Sequence, residues 1–316
     1  MTDHSDIAKN CWFLTGATAS GKSKTSLELA RLLDAEIISL DSMAIYRGMD
    51  IGTAKPPVEE RGEIPHHLID IRDPNETFST SQYLEASGEM IEAIRARGKA
   101  VLFVGGTALY LKALLRGMFE GPPADWEFRK QVEKEIEDSG GEFLHERLQM
   151  VDPVAAHNIH PNDHRRLIRA LEVFSTTGKP ISHWQMEFDS PTPTEQCRVF
   201  AIRHPREILH QRIEQRVGSM FDAGLIEEVR GLIEKHGELS HTAAQAVGYR
   251  EVIAHLDGKH SEEETRELVL FRTRRFARHQ ETWFRNLSEC RWVELEPELE
   301  PADIAKHIAA TGASER

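Results

Sequence analysis

The sequence predicts an α/β protein: a P-loop NTPase-like parallel sheet flanked by helices, interrupted by an all-helical insertion domain. Three observations predict it. A glycine-rich loop at residues 16–23 lies between an apolar run and a helical pattern, four more short apolar runs come at intervals along the chain, and residues 120–194 hold helical patterns without a strand. Short apolar runs separated by helices favour a parallel sheet covered on both faces. In such sheets ligands bind beyond the carboxyl ends of the strands.

The first element is a strand. Cys11, Trp12, Phe13, Leu14 and Thr15 are apolar enough to be buried, and the loop then reads Gly16, Ala17, Thr18, Ala19, Ser20, Gly21, Lys22, Ser23. Residues 24–33 place Leu27, Leu29, Ala30, Leu32 and Leu33 at helical spacing. Strand, glycine loop and helix in that order are the context a phosphate-binding P-loop needs. A second strand at 36–40 ends at Asp41, and a third at 100–104 ends at Gly105, Gly106 and Thr107. Two more are expected at 198–202 and 291–295. The loop, Asp41 and Thr107 should therefore meet in one cleft. Gly121, Pro122 and Pro123 open the insertion, and Pro191 and Pro193 close it, with helices expected at 126–139, 143–150 and 161–176. This gives a P-loop core in two parts, residues 1–119 and 195–316, around an insertion at 120–194. Residues 311–316 are expected to fray.

Bulk properties narrow the classes. The 316 residues are 40% hydrophobic and 29% charged, as in ordinary water-soluble proteins, and no run is long enough to span a membrane. The N-terminus lacks the form of a signal peptide. Cys11, Cys197 and Cys290 form no metal-binding pattern and read as buried free thiols of a cytoplasmic protein. A net charge of −13 argues against non-specific nucleic-acid binding. That average hides a basic segment: residues 266–285 carry six arginines and two glutamates. A helix over 265–288 would turn Val269, Thr273, Phe276, Ala277, Gln280, Trp283, Phe284 and Leu287 to one face. Arg274, Arg278 and Arg285 would lie opposite, with Arg272, Arg275 and His279 alongside. Few of these arginines have a glutamate four residues away, which favours phosphate-backbone contact over a merely solvated face.

The loop residues themselves suggest the chemistry. Exposed backbone N–H groups and a helix N-terminus hold an anion, Lys22 adds a point charge, and Ser23 is placed to ligate Mg2+. On its own such a loop suggests an ATP-binding, nucleotide-using site. Asp41 can accept a proton from a weak nucleophile beside a bound diphosphate, or it can serve as a turn or helix cap. Thr107 can donate to a phosphate oxygen or cap the helix after it.

These segments together resemble the tRNA dimethylallyltransferases, also called tRNA isopentenyltransferases. The resemblance rests on residues 16–23, 41–56, 105–110, 161–171, 247–250 and 278–283, and it runs from about residue 11 to 295. Its most specific block is Ile51, Gly52, Thr53, Ala54, Lys55 and Pro56, which ordinary P-loop kinases lack. The resemblance implies transfer of a dimethylallyl group from dimethylallyl diphosphate to N6 of adenosine 37, beside the tRNA anticodon. The loop, residues 16–23, would then hold the leaving diphosphate, with Arg216 beside it; by its residues alone Arg216 could equally be a surface helix charge. Asp41 and Thr107 would be catalytic, and Mg2+ would be the cofactor. The implied tRNA contacts are Asp41, Ser42, Met43, Ala44, Thr107 and Arg129; Arg165, Arg166, Leu167, Ile168 and Arg169; Gln245, Ala246, Val247, Gly248, Tyr249 and Arg250; and Arg278, His279, Gln280, Glu281, Thr282, Trp283, Phe284 and Arg285. Ala44 departs from the glutamine that many members carry there. The expected protein is a cytoplasmic monomer with no membrane partner. Two other readings stand beside it: a small-molecule P-loop kinase, which has no use for an arginine-faced C-terminal helix, and a non-catalytic RNA-binding protein, which has no use for an intact Lys22, Ser23 and Asp41.

Overall fold

Five apolar runs and one pair of histidines form an all-parallel sheet in the computed structural model, which describes residues 8–119, 121–185, 191, 193–194, 197–296 and 299–313. The strands are β1 (Trp12–Gly16), β2 (Ala35–Ser39), β3 (His66–His67), β4 (Ala100–Val104), β5 (Arg198–Arg203) and β6 (Cys290–Glu294). Their spatial order is β3-β2-β4-β1-β5-β6. β1 is central, pairing with β4 through Trp12 and Leu102 and with β5 through Trp12 and Arg198. Every residue of β1 and β2 is buried, as expected of strands covered on both faces. The edge strand β3 was not expected, because two half-buried histidines make no apolar run. His67 Nε2 lies 2.6 Å from Glu36 Oε2, and Arg97 grips both oxygens of the same carboxylate.

The chain divides by internal contacts into two units, residues 1–115 with 191–316, and Arg116–Ser190. The division falls four residues before each expected boundary, and Glu120, the first residue of the expected insertion, lies outside the described residues. In the first unit the helices are α1 (Lys22–Leu33), α2 (Val58–Glu63), α3 (Thr80–Ala96) and α4 (Ala108–Arg116), the last reaching the division itself. The second unit holds α5 (Trp126–Ser139), α6 (Glu142–Val151), α7 (Pro153–Asn158), α8 (His164–Thr177) and α9 (Ile181–Gln185). The first unit then resumes with α10 (Arg206–Asp222), α11 (Leu225–His236), α12 (His241–Ala244), α13 (Tyr249–Leu256), α14 (Glu262–Arg285) and α15 (Pro301–Ala313). α15 packs on α1, so the expected fraying from 311 is wrong up to Ala313; residues 314–316 lie outside the described residues. No helix among the described residues is long and apolar enough to cross a membrane. No cysteine among the described residues forms a disulfide; Cys11 and Cys197 are buried, but Cys290 is only partly so.

The first unit's core runs from Trp12, Leu14 and Ile37 through Leu102 and Phe200 to Ile304 and Ile308, joining both ends of the chain. The second unit has its own core around Leu144, Leu148, Leu167 and Val173. Its polar centre is Glu172, whose carboxylate is fully buried and binds Arg129 through both oxygens, Arg169 and the Asp125 N–H. Burial pushes the Glu172 carboxyl upward, but its bonds to Arg129 and Arg169 outweigh this and hold it below the usual range.

Removing one member of a buried ion pair leaves the others uncompensated and costs about 3 kcal/mol. Glu172→Ala should lower the stability of residues 126–177 by about that amount. Amide hydrogen exchange should accelerate there, while protection of β1 and β4 stays unchanged.

Candidate active site

β1, β2 and β4 end side by side, so the segments leaving these three strands meet at one edge of the sheet. Gly105 N–H donates to Leu14 O at 3.2 Å, and Thr15 Oγ1 donates to Gly105 O at 2.8 Å. The Leu40 N–H reaches Val104 O at 2.8 Å. A Cβ on Gly105 would lie 2.1 Å from Leu40 O, so only glycine permits this approach. Thr107 Oγ1 accepts the Ser42 N–H at 3.0 Å and lies 3.4 Å from Ser42 Oγ. The expected meeting of the loop with the segments at Asp41 and Thr107 is therefore present.

The loop at residues 16–23 wraps around its own lysine. Lys22 Nζ donates to Gly16 O at 2.9 Å and to Ala17 O at 2.7 Å. Burial, and after it the Arg216 guanidinium, lower the Lys22 pKa to about 7 against the opposing pull of the Asp41 carboxylate. Burial also lowers Arg216, again opposed by Asp41. Arg216 is thus a member of the cluster and not a surface charge. Its Nη2 donates to Thr53 O at 3.2 Å, while its buried Nε has no partner among the described residues. Two enclosed cations and one carboxylate leave excess positive charge, which suits an anion.

Of the two characters expected of Asp41, the structure displays the turn-capping one. Its Oδ1 accepts the Met43 N–H at 2.8 Å and the Ala44 N–H at 3.4 Å, which is a turn-capping role. Oδ2 makes no hydrogen bond to the described residues. Ser23, in the first turn of α1, is exposed. Its hydroxyl is a hard oxygen donor suited to Mg2+, but no group of three or more His, Cys, Asp or Glu among the described residues could hold a metal alone. A divalent ion would come with oxygens of a bound anion.

α14 is tied to this cluster by Gln280. Gln280 Oε1 accepts the Thr18 N–H at 2.8 Å, and Nε2 donates to Gly106 O at 2.9 Å. Gln280 is buried and joins the phosphate loop to the loop after β4, so its side chain is not a tRNA contact as expected. The side chains of Ala44, Leu167, Ile168, Ala246, Tyr249 and Phe284 are buried as well, and they support the exposed residues beside them. Gly248 has no side chain to offer and caps the start of α13. Arg129 and Arg169, expected on RNA, give their guanidinium groups to Glu172.

The helical face also needs correction. Phe276 and Trp283, expected on the buried side, are 45% and 40% exposed. Arg266, Arg272 and Arg274 pair with Glu262, Glu251 and Glu214. Arg275, Arg278 and Arg285 have no ion-pair partner among the described residues and, with His279, remain exposed. Arg203, Arg206, Arg274, Arg275, Arg278 and Arg285 line a groove of about 890 Å³. Of the remaining expected contacts, Ser42, Met43, Val247, Arg250 and Glu281 are half-buried, and Arg165, Arg166, Gln245 and Thr282 are exposed. Periodicity could not have revealed two further residues whose ties fix the loop at 50–55, Lys55 and Glu228.

The fold is a P-loop-like parallel sheet, and by its relatives the chain is a transferase. The model of the IPP transferase family matches residues 44–287, so the chain belongs to that family. It is 49% identical over 286 residues to the tRNA dimethylallyltransferase of Rhodopirellula baltica, covering 88% of this chain and 86% of that protein. It is 46% identical to the enzyme of the same name from Geobacter metallireducens, over 88% of this chain and 90% of that one. Among solved structures, the full-length tRNA isopentenylpyrophosphate transferase of Bacillus halodurans superposes with a TM-score of 0.69 at 37% identity, covering 97% and 98% of the two chains. A eukaryotic dimethylallyltransferase acting on tRNA gives 0.74 at 27% identity, covering 98% of this chain and 77% of that one.

A lysine with a pKa near 7 loses its charge across the neutral range, so anion binding should weaken as pH rises through 7. Calorimetric titration with inorganic diphosphate between pH 6 and 8 should show that loss. Lys22→Met should bind weakly throughout and lack the part of the slope due to this residue.

Proposed function

We propose that the chain transfers the dimethylallyl group of dimethylallyl diphosphate to N6 of adenosine 37 in tRNA and releases diphosphate. The observation that carries this is the enclosed Lys22, Arg216 and Asp41 cluster beside the phosphate loop, within a chain of the IPP transferase family. The allylic C1–O bond breaks, and its electron pair goes to the diphosphate. The loop N–H groups, Lys22 and Arg216 stabilise that developing charge. The C1–N6 bond forms from the adenine amine, a poor nucleophile because its lone pair is delocalised. Asp41 Oδ2 accepts the N6 proton, and Thr107 orients the Asp41–Ser42 segment through the Ser42 N–H.

Mg2+, held by Ser23 and diphosphate oxygens, would add charge neutralisation. On this reading the loop serves a prenyl diphosphate in place of ATP. The target base leaves its stack to reach the cleft. Arg275, Arg278, His279 and Arg285 on the first unit, and Arg165 and Arg166 on the second, are the exposed groups suited to the RNA backbone. The protein is read as a cytoplasmic monomer.

The test is incubation with dimethylallyl diphosphate, Mg2+ and unmodified tRNA, followed by nucleoside analysis for N6-prenyladenosine. Phosphorylation of a metabolite by ATP without that product would overturn the reading. Asp41→Ala should lower turnover about 10²–10⁴-fold, as for loss of a general base, while tRNA affinity changes little. Equal losses of both would make Asp41 a binding residue only.

A further inference from the structure

We propose that Glu228 is a positioning residue for the diphosphate-binding arginine, acting through the backbone of residues 50–53; this rests on the proposal that Arg216 binds diphosphate. Glu228 lies in the first turns of α11 and is not itself part of the phosphate cluster. Its Oε2 accepts the N–H groups of Asp50 at 3.0 Å and Ile51 at 2.7 Å, and its Oε1 accepts that of Gly52 at 3.3 Å. The Tyr249 hydroxyl donates to the same Oε1 at 2.6 Å. One carboxylate thus gathers four donors, three of them successive backbone groups.

The shape of the loop depends on this gathering. Gly52 lies against the Tyr249 ring, where a Cβ would be 2.4 Å from Cε2, so the loop and ring fit only without a side chain. Burial and the adjacent Glu228 carboxylate raise the Tyr249 pKa, so its hydroxyl stays protonated and donates. At the other end Lys55, its side chain buried, donates to Tyr46 O at 2.8 Å and pairs with Asp50 at 2.5 Å and Asp70 at 2.6 Å. Thr53 Oγ1 donates to Met49 O at 2.6 Å. The loop is fixed on both sides of Thr53.

What the loop presents is the Thr53 carbonyl, and that oxygen holds Arg216. Nη2 to Thr53 O is the hydrogen bond that orients the guanidinium, whose Nε is buried without a partner among the described residues. A guanidinium with so few constraints takes its direction from the carbonyl it meets. The peptide that carries this carbonyl is held by the Ala54 N–H, which donates to Ile51 O at 3.0 Å, and Ile51 and Gly52 are in turn bound through their N–H groups by Glu228. A glutamine at 228 would turn an NH2 group toward backbone donors, releasing at least one of them. Thr53 O would then move off Arg216.

The experiment is a double-mutant cycle read with inorganic diphosphate by calorimetry, with tRNA affinity measured in parallel. Glu228→Gln should weaken diphosphate binding about tenfold, comparable to losing one charge-assisted hydrogen bond, and leave tRNA affinity within about twofold. Arg216→Ala should weaken it further, and the double variant should bind like Arg216→Ala alone, because Glu228 acts only through the arginine. Tyr249→Phe removes one of the four donors and should show a smaller loss that also vanishes in the Arg216→Ala background; it keeps the cycle readable should Glu228→Gln unfold. Additive losses, or equal losses in diphosphate and tRNA affinity, would overturn the inference. If Arg216→Ala left diphosphate affinity unchanged, the reading of Arg216 itself would fall.

Discussion

The structure depends on a concentration of positive charge at the carboxyl edge of a buried sheet. Lys22 and Arg216 are held where burial lowers both pKa values, with Asp41 as the opposing carboxylate. Placing two cations together is unfavourable unless an anion compensates them. The surrounding chain therefore has to hold them rigidly. The phosphate loop does so through two of its own carbonyls, and the arginine is held by a carbonyl from a separate loop.

The loops are in turn fastened to one another across long stretches of sequence. Thr15 reaches Gly105, Thr107 reaches Ser42, and Gln280 spans Thr18 and Gly106. Each tie satisfies backbone groups that a buried loop would otherwise leave unpaired. This is why a position read as an RNA contact, Gln280, is buried, and why an arginine-rich helix is tied to the first unit's loops. The arginines of that helix divide into those paired within the protein and a smaller exposed set. Arg266 has Glu262 one turn away on its own helix, but for Arg272 and Arg274 the difference is set by the acidic side chains that α13 and α10 bring near, something visible only after folding.

Much of the fold could be read from the chain because its signals are local. The apolar runs at 12–16 and 100–104 and the loop glycines announce buried strands and a phosphate turn. The helices at 126–139, 164–177 and 262–285 lie close to where periodicity puts them. β3 was illegible because His67 is fixed by Glu36 and His66 by the Ile64 carbonyl at an edge position, not by hydrophobic pattern. Phe276 and Trp283 were misassigned for a similar reason: periodicity puts them near the buried stripe, but that flank of α14 stays open among the described residues. Asp41 and Thr107 were legible from their place after strands, whereas Glu228 looked like any acidic residue in a helical first turn. Its role depends on loop 50–53 lying beside it, a contact 178 residues apart in sequence.

The position of β1 between β4 and β5 also has a consequence for how the protein is made. By the time β1, β2 and β4 have left the ribosome, the phosphate loop and Asp41 exist, yet one edge of β1 has no neighbour. β5 arrives only after the whole Arg116–Ser190 unit has been synthesised, and Gln280 later still. Unpaired strand edges invite association with other chains. Vectorial synthesis therefore leaves a central strand, fully buried in the finished fold, half-paired during the interval in which the helical unit, with its own core, can fold. The insertion sits at the point in the chain that lengthens this interval.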